Sequence, residues 1–80
     1  MTKLRVLFTF PAEQIKEPVI YNLGKRYGVV TNIRRADITD DHGWVVLELD
    51  GEQSDIEAGL SYVRGLGVRA DPMEGDVIAG

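Results

Sequence analysis

Apolar and polar residues alternate from Lys3 to Phe10, KLRVLFTF, with Leu4, Val6, Phe8 and Phe10 on one face and Arg5, Leu7 and Thr9 on the other. A period of two predicts a strand with one buried face. Pro11 ends it, since proline has no N–H for the ladder. The period then changes to that of a helix: Val19, Ile20, Leu23 and Tyr27 recur behind Pro18, which suits a first helical turn. Gly28 follows as a C-terminal cap, so the first helix is expected over Glu17 to Tyr27. A second strand is predicted from Val29 to Thr39, and Asp40-Asp41-His42-Gly43 reads as a tight turn with Gly43 free to take positive φ. Trp44 to Asp50 forms a third strand, with Val45, Leu47 and Leu49 facing one way and Trp44, Val46 and Glu48 the other. Ser54 to Glu57 fits a capping box, and Ile56, Leu60 and Val63 mark the buried stripe of a second helix. Gly65 and Gly67 close that helix, Val68 to Met73 forms a short last strand, and a frayed tail runs from Glu74.

The resulting order is βαββαβ. With right-handed crossovers this is the ferredoxin-like arrangement, an α+β fold in which two helices cover one face of a four-stranded antiparallel sheet. The chain is read as a single domain over residues 1–80, with its core in 3–73. Strands one and three take the centre, so Leu7, Trp44 and Val46 fall on the face without helices. That patch suits contact with a partner. The competing expectation is a patch that is half exposed or covered by the tail.

Composition narrows the range of functions. Eighty residues bury only about 60% of the surface their unfolded chain exposes, so every apolar position matters. There is no cysteine, which removes disulfides, iron–sulfur ligation and thiol chemistry and fits a cytoplasmic setting. The net charge of −4 argues against nonspecific nucleic-acid binding. No apolar run approaches the roughly 20 residues of a membrane span, and the N-terminus resembles no signal peptide.

Candidate chemistry is sparse. His42 beside Asp40 and Asp41 suggests a metal site or an acid–base pair, but Asp, His and Gly are also ordinary turn residues. Gly24-Lys25 lacks the remainder of a phosphate loop, and Gly65-Leu66-Gly67 is more economically a helix stop. Lys25, Arg26, Arg34 and Arg35 with Tyr21 and Tyr27 invite an RNA-binding reading, yet the paired aromatics such modules carry on their central strands are absent. No enzyme, metal or cofactor is expected.

The second strand remains unusual, because VVTNIRRADI puts polar residues at positions of both parities. Together with Phe8-Thr9-Phe10, Glu17-Pro18-Val19-Ile20, Tyr27-Gly28-Val29, Asn32-Ile33, Gly43 and Gly67-Val68, this segment resembles the NIL domain family over Lys3 to Met73. Arg34 stands where the family name implies leucine. The resemblance implies a noncatalytic regulatory domain. In methionine-importing ABC transporters, such domains form the C-terminal part of the ATPase subunit, bind methionine and pair with their copies. Other members are fused to ferredoxin-type modules in proteins connected with sulfur assimilation.

The resemblance therefore implies a homodimer that recognises methionine or a related sulfur amino acid. The alternative is an adaptor that docks on a sulfur-metabolism protein without a free ligand. It carries ligand contacts onto Asn32 and Ile38, which share a strand face if no bulge intervenes. Arg34 shares that face in ideal alternation, where it binds a carboxylate or blocks the site. A four-residue turn pairs Thr39 with Trp44 and Arg35 with Glu48, and puts Ile38 on the buried face; a bulge or a different turn reverses that assignment.

Overall fold

The structure, a computed structural model, describes residues 2–11, 18–39 and 42–73. Its elements follow the order β1 (Thr2–Phe10), α1 (Val19–Tyr27), β2 (Val30–Ile38), β3 (Gly43–Gly51), α2 (Gln53–Gly65) and β4 (Arg69–Pro72). The strands form one antiparallel sheet in the order β2-β3-β1-β4. This is the expected βαββαβ α+β fold. Alternation along the central strands decides the layers. Val6 and Phe8 of β1 and Val45, Leu47 and Leu49 of β3 join Val19 and Leu23 of α1 and Ile56, Leu60 and Val63 of α2 in one core. Both helices therefore lie on the same face. Phe8, Leu23, Leu47, Leu49 and Val63 are fully buried, and each such side chain contributes about 1.5–3 kcal/mol of transfer free energy.

The helix ends follow local chemistry, with one departure. Gly28 takes φ 67 and its N–H bonds the Gly24 carbonyl at 3.0 Å, the cap expected of a glycine behind Tyr27. Pro18 is the N-cap of α1 rather than a residue of its first turn, and its carbonyl accepts from the Asn22 N–H at 2.9 Å. The start of the predicted first helix at Glu17 lies outside the described residues. The capping box does not form. Glu52, with extended φ, is the N-cap of α2 and makes no side-chain cap bond. One residue joins β3 to α2, so the helix begins at once and encloses Ser54. Glu57 instead accepts from Gln53 Nε2 at 3.1 Å.

The helices meet tightly at Gly59, where a Cβ would collide with Leu23 Cδ1. Beside that contact Tyr62 lies 5.6 Å from the Tyr27 ring, and its hydroxyl accepts from Asn22 Nδ2 at 3.1 Å. Arg64 Nη2 donates to the Ala70 carbonyl at 2.8 Å and ties the end of α2 to β4.

The hairpin from β2 to β3 corrects the expected register. The Thr39 N–H bonds the His42 carbonyl at 2.8 Å, leaving only residues 40–41, which are outside the described set, between them. Asp37, rather than Thr39, stands opposite Trp44. Gly43 belongs to β3, and positive φ occurs at Gly28 and Gly67 instead. A bulge then interrupts β2: Ile33 is opposite Leu47 and Arg35 opposite Val46, so Arg34 has no β3 partner.

Candidate functional site

Directly opposed residues share a face of the sheet. The faces of β2 therefore follow from β3, whose Val45, Leu47 and Leu49 enter the core. Val30, Asn32, Arg35 and Asp37 stand opposite Asp50, Glu48, Val46 and Trp44, so they lie on the open face. Thr31, Ile33, Ala36 and Ile38 lie on the helix side, opposite Leu49, Leu47, Val45 and Gly43. The bulge makes this division. It adds one residue between Asn32 and Ile38, and an even separation no longer means a common face. The two positions carried over from the resemblance are on opposite sides of the sheet within one chain. Ile38 is not buried there, because β2 is an edge strand: it remains 70% exposed, with Cγ1 3.1 Å from where a Gly43 Cβ would be.

Asn32 has charged neighbours on the open face. It stands opposite Glu48, which stands opposite Arg5 of β1, so an amide, a carboxylate and a guanidinium form one row across three strands. Arg5 Nη2 and Glu48 Oε2 are 3.4 Å apart, with the two side chains only 25% and 26% exposed. That is longer than the ~2.7–2.9 Å of a strong charge-assisted bond. Glu48 thus takes Arg5 as its partner. The expected Arg35–Glu48 pair is replaced because the shorter turn and the bulge put Arg35 opposite Val46. Alternation had already placed Arg5 and Glu48 on open faces of central strands; their direct opposition was the missing signal.

Leu7, Val46 and Trp44 adjoin that row on the open face, as expected. Leu7 and Trp44 are half-buried and Val46 is 6% exposed, so the patch already covers much of itself. It offers an apolar floor beside polar groups. The remaining candidates have local roles. His42 contacts Thr39, whose Oγ1 lies 3.5 Å from Nδ1 and donates to the His42 carbonyl at 3.0 Å. Among the described residues, no three His, Asp or Glu side chains gather as metal ligands. Lys25 lies 5.5 Å from the centre of the Tyr21 ring and Arg26 5.2 Å from that of Tyr62, so both cations rest on aromatic faces. Gly67, at φ 91, donates to the Arg64 carbonyl at 3.0 Å and completes the helix stop. No described helix is long and apolar enough to cross a membrane.

These features define a small α+β domain with one sheet face sealed by helices and the other lined with polar and apolar groups. The NIL domain family matches residues 4–72, and the chain belongs to that family. A similar solved structure is the C-terminal domain of an ABC transporter / ATP-binding protein from Enterococcus faecalis. It is 27% identical, with a TM-score of 0.81, over 89% of this chain and 83% of that chain. None of the curated proteins compared with the chain matches it.

Proposed function

We propose that this NIL domain is a noncatalytic regulatory module that binds methionine or a related sulfur amino acid on its open sheet face. The observation that carries the reading is the row Asn32–Glu48–Arg5. An α-amino acid presents an ammonium and a carboxylate. Glu48 accepts from the first, Arg5 donates to the second, and the Asn32 amide both donates and accepts. The thioether chain then lies over Val46, Leu7 and Trp44, where a polarizable sulfur gains from an aromatic edge. Arg35, opposite Val46, is a second cation for the carboxylate. Arg34, set outside the ladder by the bulge, flanks the row.

Calorimetric titration with methionine, homocysteine and cysteine tests this reading. Saturable binding of at least one of them is expected. If all three give no heat at millimolar concentration, the alternative becomes the better account: an adaptor that presents the Leu7, Trp44 and Val46 patch to a sulfur-metabolism protein.

A further inference from the structure

Arg5 has a cross-strand neighbour on each side. Toward β3 it stands opposite Glu48, and toward β4 its carbonyl accepts the Met73 N–H at 2.8 Å. Pro72 is opposite Val6, so Met73, one residue further along the chain, is opposite Arg5 just past the end of β4. Arg69 and Asp71 face Thr9 and Leu7 on the open side of the sheet, and alternation puts Met73 on that side with them. The row Asn32–Glu48–Arg5 thus continues past β1 and ends in a thioether.

Backbone phase sets the spacing along this row. Hydrogen-bonded and non-hydrogen-bonded pairs alternate in an antiparallel ladder, and Arg5 turns its carbonyl to Met73 rather than to β3. Arg5–Glu48 is therefore a non-hydrogen-bonded pair, the closer kind, with Cα atoms about 4.5 Å apart. One α-amino acid can lie across both, its side chain then following β1 over Leu7, the next residue of this face. Met73 is the diagonal neighbour of Leu7, at about 7–8 Å, a separation that long side chains span. Asp71, directly opposite Leu7, is drawn the other way: its Oδ2 accepts from Arg69 Nε at 2.7 Å, and Arg69 precedes Asp71 where Met73 follows it. Met73 is itself half-buried, although no helix covers this face.

We propose that Met73 reads the ligand's side chain and makes the site select methionine and homocysteine over cysteine. This role presupposes the amino-acid site on the open face. An unbranched thioether with three rotatable bonds adapts to another flexible apolar chain. Methionine and homocysteine carry their sulfur two methylenes beyond Cα, long enough to leave the row and lie between Leu7 and Met73. Cysteine ends one methylene out, over the row itself. Each methylene-sized group that Met73 covers gains roughly fourfold in affinity.

The methionine methyl groups provide the test. The chain has two methionines, Met1 and Met73, so protein labelled with carbon-13 at that methyl gives at most two such NMR signals, and Met73→Leu assigns them. On addition of unlabelled methionine the Met73 signal should shift saturably, with the dissociation constant that calorimetry gives. Met73→Leu, apolar and of similar volume, should keep methionine affinity within about twofold. Met73→Gln, similar in length but polar, should weaken methionine and homocysteine roughly fourfold or more and leave cysteine unchanged. Circular dichroism checks that both variants fold. A Met73 signal that stays still while methionine binds overturns the role of Met73 and leaves the amino-acid site standing. So does a Met73→Gln protein that binds methionine as wild type does, or one that loses cysteine to the same degree. A wild type that binds none of the three overturns both.

Discussion

Asn32 illustrates how little a residue type says until its neighbours are known. In sequence it is an asparagine inside a strand; in the sheet it sits level with Glu48 and Arg5, on a face that no helix covers. Its side chain is exposed, so replacing it should leave stability nearly unchanged. Asn32→Ala should nevertheless weaken methionine binding by about 1–3 kcal/mol, or roughly one to two decades in Kd. Titration of both proteins, paired with thermal melts, checks this. Equal affinity in the variant would place the amino acid elsewhere, and a parallel loss of melting temperature would make Asn32 a structural residue. Glu48→Gln removes the charge that meets the ammonium and the ion pair that Glu48 makes with Arg5. It should weaken the same binding, and unlike Asn32→Ala it should also lower the melting temperature, because the Arg5–Glu48 pair is three-quarters buried.

At the scale of elements, β2 and α2 are opposite cases. The strands β1 and β3 and both helices were legible from periodicity, because the core demands one buried face of each and only one period satisfies it. The stripe of α2 was read correctly although its start was not. Ile56, Leu60 and Val63 keep their spacing wherever the helix begins, whereas the N-cap depends on how few residues separate it from β3. The register of β2 was not legible. Turn residues permit a loop of two or of four, and on an edge strand exposed on both faces a bulge costs no core contact. The face of Ile38, the partner of Arg35 and the opposition of Asn32 to Glu48 all followed from those two local choices. The glycines of α2 provide a sharper check. Gly59→Val must displace the buried Leu23 side chain and should cost about 1–3 kcal/mol through overpacking. Gly65→Ala meets nothing within 4 Å and has no positive φ to preserve, so it should stabilise the protein by about 0.4–1 kcal/mol. Urea denaturation of the two variants measures both signs, and a Gly59→Val protein as stable as wild type would mean the helices are not in close contact there.

For the whole molecule, the helices seal one face and leave the sheet two kinds of unspent surface. The open face carries the Asn32–Glu48–Arg5 row beside an apolar floor, and the β2 edge carries Ile33, Ala36 and Ile38. Amide-resolved NMR during a methionine titration tests the central claim most directly. The account predicts saturable shifts centred on Arg5, Asn32, Val46 and Glu48 and on the side-chain amide of Asn32, with α1 and α2 unmoved. Shifts confined to the helices, or none at millimolar methionine, would contradict it.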